Sequence, residues 1–127
     1  MIKYIVKPIN DIAENYDKLK ENKTVTIFIT TNKYRFLPTL RLGFDDVYKG
    51  EKGFIEDYHI KCIKSMIPIL KFQDTIIVGC DVGISRSPAV ASAIAHLLKD
   101  YSNRDKIQSM YKFYNRDIYN AIIGDYK

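Results

Sequence analysis

A chain of 127 residues with 46% hydrophobic, 13% aromatic and 28% charged side chains has the size of one compact domain, and residues 1–127 are read as a single unit. That hydrophobic content excludes an intrinsically disordered chain; no apolar run nears the roughly 20 residues of a membrane-crossing helix, and Met1 to Ile9 lacks the apolar stretch of a secretory leader, so a cytoplasmic protein with no membrane partner is expected. The 20 Lys and Arg against 15 Asp and Glu give +5, which favours anions in general, although the scattered lysines also serve solubility.

Ile2 to Val6 alternates weakly and Thr24 to Thr30 (TVTIFIT) is β-branched and aromatic, so both read as strands. Between them Asn10 or Asp11 is placed to cap a helix carrying Ile12, Tyr16 and Leu19 at helical spacing. Leu40, Leu42 and Phe44 alternate with Thr39, Arg41 and Gly43, predicting a short strand that ends at Asp45-Asp46. From Ile55, the positions Tyr58, Cys62, Ile63, Met66, Ile67 and Leu70 form the apolar face of a helix that Pro68 should bend or end. Thr75 to Val78 (TIIV) is a continuous apolar run, the pattern of a strand covered on both faces. A helix then runs from Ser87 through Leu98, with Pro88 in its tolerant first turn, and Asp105 to Tyr114 and Asp117 to Ile123 predict two more. The alternation implies an α/β domain with a central, mostly parallel sheet flanked by helices.

Cys62 and Cys80 are the only cysteines, too few for a disulfide scaffold or a structural zinc site. His59 and His96 have no clustered partners, so no metal or other cofactor is expected. Cys62 falls on an apolar helix face and reads as a packed thiol rather than a redox partner of Cys80.

The informative segment is Gly79 to Pro88, G-C-D-V-G-I-S-R-S-P, which joins the buried strand to a helix. A loop curled around an anion would turn the amides of Asp81, Val82, Gly83, Ile84, Ser85 and Arg86 inward, with Gly83 allowing close backbone approach and the positive end of the helix aimed at the same point. Arg86 would add a two-pronged donor to phosphate oxygens. The same field favours a thiolate, so Cys80 is expected to be a nucleophile, and Ser87 could donate its hydroxyl to the sulfur. Asp81 reads as a solvent-facing charge that disfavours the most highly anionic substrates.

The run Cys80-Asp-Val-Gly-Ile-Ser-Arg86-Ser87 resembles the signature loop of the protein tyrosine phosphatases, in the form of their compact dual-specificity branch. The resemblance implies a sheet flanked by helices and hydrolysis of phosphomonoesters without metal, through a cysteinyl-phosphate intermediate. It also implies an aspartic acid some thirty-odd residues upstream that protonates the leaving oxygen. Asp46 precedes Cys80 by 34 positions and follows Leu42 and Phe44 in phase, so it is favoured over Asp45. An alkoxide or phenoxide leaves poorly unless protonated, which gives the acid its own chemical reason. The family's usual histidine before the cysteine is replaced here by Gly79.

The implied substrate is a phosphotyrosine protein, with phosphoserine and phosphothreonine open; a phosphate-binding pseudophosphatase and an RNA 5′-phosphatase are the alternatives. Tyr34 and Arg35 are placed to border the phosphate site. Tyr101, Tyr111, Tyr114 and Tyr119 accompany Lys106, Lys112 and Arg116, but their helical placement favours packing, so nucleic-acid binding is not predicted. A monomer is the default.

Overall fold

The computed structural model describes residues 1–124. In chain order they form β1 (Lys3–Pro8), α1 (Ile9–Leu19), β2 (Thr24–Ile29), β3 (Leu40–Leu42), α2 (Asp57–Leu70), β4 (Thr75–Cys80), α3 (Arg86–Leu97), α4 (Tyr101–Met110) and α5 (Arg116–Ile123). The four strands make one sheet in the order β1-β4-β2-β3, and every pairing is parallel. This is the α/β architecture the alternation of elements implied.

The apolar run of β4 has its reason in this order. The strand is enclosed by β1 and β2, and all six of its residues are buried. Because side chains alternate across a strand, Ile77 joins Ile5, Phe28, Ile9 and Ile12 on the face covered by α1, while Ile76, Val78 and Cys80 join the larger core on the other face. Nine consecutive residues of α3, Ser87 to Ala95, are buried beneath the sheet, α4 and α5. Four of them are alanines, whose small side chains let neighbouring backbones approach on several sides. Each fully buried isoleucine of these cores contributes on the order of 2 kcal/mol by leaving water.

Several boundaries differ from the predicted ones. Helix α1 starts at Ile9 directly after Pro8 and has no side-chain cap; Asn10 and Asp11 lie inside it, since β1 remains paired as far as Pro8 and Ile9 must already turn into the core. The third strand stops at Leu42, because the Phe44 carbonyl leaves the sheet to accept from Arg86. Helix α4 spans Tyr101–Met110 rather than Asp105 to Tyr114: Lys99, with φ 62°, reverses the chain early, and Tyr111 caps the helix while its hydroxyl donates to the Val6 carbonyl at 2.9 Å. Pro68 stands in the last turn of α2, which stops two residues later.

Candidate active site

Cys80 closes the central strand, paired with Pro8 on one side and Ile29 on the other. In open parallel sheets this carboxyl edge is where ligands bind. The loop 81–85 rises from it and α3 begins at Arg86. Gly83 is the residue this geometry needs: its φ is +83°, and a Cβ there would lie 2.5 Å from the Pro8 nitrogen at the end of β1.

Cys80 is 2% exposed, and its sulfur gathers three polar groups. The Gly83 amide donates to Sγ at 3.1 Å and the Ser87 amide at 3.4 Å, while the Ser87 hydroxyl oxygen lies 3.2 Å away. Val82 and Ile84 are exposed at 64% and 51%, so these loop residues turn their apolar side chains outward around the cysteine.

Arg86 reaches two acceptors. Its Nη1 donates to the Phe44 carbonyl at 3.0 Å and its Nη2 to Asp81 Oδ2 at 2.9 Å. Asp81 therefore does not face solvent as expected. Its other oxygen accepts from the Thr30 hydroxyl at 2.7 Å and the Tyr34 hydroxyl at 2.6 Å, because the chain leaving β2 passes beside the loop. Burial pushes the Asp81 carboxyl up, but hydrogen bonds from Tyr34, Thr30 and Arg86 outweigh it and hold the group below its ordinary value. The bond to Asp81, reinforced by burial, pushes the Tyr34 phenol up to about 12. Tyr34 thus borders the loop as expected, through Asp81, while Arg35 is exposed.

The two candidate acids separate in space. Asp46 Oδ1 accepts from the Ser85 hydroxyl at 2.8 Å and from Asn115 Nδ2 at 3.0 Å. It lines a cleft of about 340 Å³ together with Tyr48, Cys80, Val82, Ile84, Ser85, Arg86 and Phe113. Asp45 lies outside that cleft, its amide bonded to the Gly53 carbonyl at 2.8 Å and its carboxylate packed against Gly53.

Asn115 escaped the sequence reading. It is 5% exposed, caps α5 by accepting the Ile118 amide at 3.0 Å, and donates from one nitrogen to Asp46 and, at 2.9 Å, to the Val47 carbonyl. Its own amide donates to the Ser85 carbonyl at 3.1 Å. The available signal was the preference for asparagine just before a helix, but the predicted helix began at Asp117, one residue late, which left Asn115 outside the cap position. Asn115→Ala is expected to cost about 2 kcal/mol, from the lost cap and the stranded acceptors, read as a lower urea midpoint with an unchanged slope.

Gly79 also acquires a reason. A Cβ at this position would lie 2.5 Å from Ile12 Cδ1 and 3.2 Å from Ile9 Cγ1, so α1 occupies the space any side chain would need. His59 is buried in α2, where its Nδ1 accepts the Glu56 amide at 3.0 Å and its ring lies 5.2 Å from that of Phe44. Both cysteines are free thiols, and among the described residues no three His, Cys, Asp or Glu side chains cluster as a metal site. No helix among them is long and apolar enough to cross a membrane.

The all-parallel four-stranded sheet with its flanking helices gives this chain a tyrosine phosphatase-like fold, with Cys80 and Arg86 at the two ends of the glycine-turned loop on its carboxyl edge. Among solved structures it is similar to OH1 from the Orf virus, a tyrosine phosphatase that displays distinct structural features and triple substrate specificity; the TM-score is 0.55 and the identity 12%, over 97% of this chain and 84% of that one. No protein-family model and no curated protein matches the sequence.

Proposed function

We propose that the protein is a cysteine-dependent phosphomonoesterase that acts on phosphotyrosine in proteins. The observation that carries this reading is the convergence of Cys80, Arg86 and Asp46 on one cleft. In the first step the Cys80 thiolate attacks phosphorus, the bond to the ester oxygen breaks, and Asp46 transfers its proton to that oxygen as it leaves. The loop amides of residues 81–86 other than Gly83, whose amide donates to sulfur, and the remaining N–H groups of Arg86 bind the equatorial oxygens as charge builds on them. Ser87 donates its hydroxyl to the sulfur, stabilising it as nucleophile and again as leaving group. In the second step the Asp46 carboxylate takes a proton from water, the water oxygen bonds to phosphorus, and the sulfur–phosphorus bond breaks to release inorganic phosphate.

A phosphotyrosine substrate is favoured by the wall of the cleft. Tyr48, Val82, Ile84 and Phe113 are 68%, 64%, 51% and 84% exposed and line it together. Such a rim gives a phenyl ring apolar contact that the shorter phosphoserine side chain would not reach.

The test is hydrolysis of p-nitrophenyl phosphate in EDTA, followed by phosphotyrosine and phosphoserine peptides and 5′-triphosphorylated RNA. Turnover of the aryl phosphate and of the phosphotyrosine peptide is expected. Oxyanion binding without turnover would make the chain a pseudophosphatase, and preference for the RNA would reassign its substrate. Asp46→Ala should lower kcat by about 100-fold on a peptide whose leaving group needs protonation, and Asp45→Ala by less than about threefold. The reverse order would move the acid by one residue.

A further inference from the structure

We propose that the Asp81 carboxylate is the positioning residue for Arg86, a role that rests on the phosphatase reading. Three groups converge on Asp81 from two parts of the chain: the Thr30 hydroxyl at 2.7 Å and the Tyr34 hydroxyl at 2.6 Å hold one oxygen, and Arg86 Nη2 lies 2.9 Å from the other. Neither member of the ion pair is free in solvent, with side chains 22% and 11% exposed for Asp81 and Arg86. The Phe44 carbonyl, 3.0 Å from Nη1, supplies the second anchor. A guanidinium carries five N–H donors in one plane, so two anchors fix that plane and leave three donors, including Nε–H, for an oxyanion.

Asp81 pairs with the guanidinium from outside the cleft. Cys80 and Arg86 line the cleft, and Asp81 is not among its lining residues. A carboxylate blocking the anion site would have to stand in that cleft, between the arginine and the sulfur. The carboxylate is also oriented by two hydroxyl donors that are independent of Arg86, so the arginine meets a partner already fixed in place. Immobilising a long side chain before substrate arrives removes an ordering cost from binding.

The experiment measures KM and kcat for p-nitrophenyl phosphate and Ki for orthovanadate in wild type, Asp81→Ala, Asp81→Asn, Tyr34→Phe and Thr30→Val, with the Arg86 side-chain Nε–H resonance followed by NMR. Asp81→Ala is expected to raise KM and Ki together by about 10- to 100-fold, and Asp81→Asn, which retains an acceptor, by less. Tyr34→Phe and Thr30→Val leave Asp81 in place and should each raise both constants about threefold, which keeps the test alive if Asp81→Ala does not fold. The Arg86 resonance should broaden in the same order. A purely structural role would lower the active fraction, hence kcat, and leave KM and Ki unchanged; that result overturns the proposal. Tighter vanadate binding in Asp81→Ala also overturns it, by making the carboxylate a competitor for the guanidinium. A wild-type chain that neither hydrolyses the ester nor binds vanadate removes the phosphatase reading instead, and the Arg86 resonance then decides alone whether Asp81 holds the arginine.

Discussion

Cys80→Ser is expected to reduce hydrolysis of p-nitrophenyl phosphate by about 10⁴-fold or more while leaving the fold intact, because the exchange of sulfur for oxygen removes the nucleophile and little volume. The thiolate is the reacting group in the proposed first step, and a serine hydroxyl at this buried position has no base beside it to take its proton: the groups at the sulfur are two amides and the Ser87 hydroxyl. Binding should survive, since Arg86 and the loop are untouched, so a phosphotyrosine peptide ought to be captured by Cys80→Ser and released by vanadate. In the wild type, acid quenching during turnover should trap a phosphoryl group on Cys80. Residual activity within about tenfold of wild type, with no trapped adduct, would remove cysteine from the chemistry.

Gly79→His, which writes in the residue the resemblance leads one to expect, is expected to damage the protein. The first carbon of the new side chain would already lie 2.5 Å from Ile12 Cδ1 and 3.4 Å from the Lys7 carbonyl. Ile9 and Ile12 are both fully buried, so making room means repacking the core beneath α1. Overpacking of a well-filled core costs about 1–3 kcal/mol, and an imidazole that must displace α1 belongs at about 3 kcal/mol, visible as a lower Tm and loss of activity together. A double-mutant cycle isolates the cause. Ile12→Val deletes the carbon that meets the new Cβ, so Gly79→Ala should be less harmful in that background by about 1 kcal/mol. A stable Gly79→His with raised turnover would mean that α1 yields readily and that the glycine was a loss of function rather than a packing requirement.

The parts of the fold and site legible in the sequence are those written in contiguous residues. TIIV announces a strand enclosed on both sides, and β4 is the one strand with neighbours on each edge that is buried along its whole length. The order cysteine, glycine, arginine and serine between that strand and an alanine-rich helix marks the loop, and Asp46, favoured over Asp45 in the sequence, lines the cleft, held there by Ser85 and Asn115 rather than by a strand that has already ended at Leu42. What sequence reasoning missed depends on contacts between distant segments. Asp81 looks like a solvated charge until Thr30 and Tyr34, 51 and 47 positions away, are folded against it. Asn115 reaches Asp46 across 69 positions, and no local pattern encodes that meeting. Gly79 resembles a mere omission until α1, whose Ile12 lies far upstream, is seen pressing on it.

The segment bearing Asp46 is held by at least four hydrogen bonds: the Phe44 carbonyl to Arg86, the Asp46 carboxylate to both Ser85 and Asn115, and the Val47 carbonyl to Asn115. A lid that swings shut over each arriving ester would have to break and remake all of them. In the proposed reaction the Asp46 carboxyl group already shares one cleft with Cys80 and Arg86, so proton transfer to the leaving oxygen needs no prior sweep of this segment.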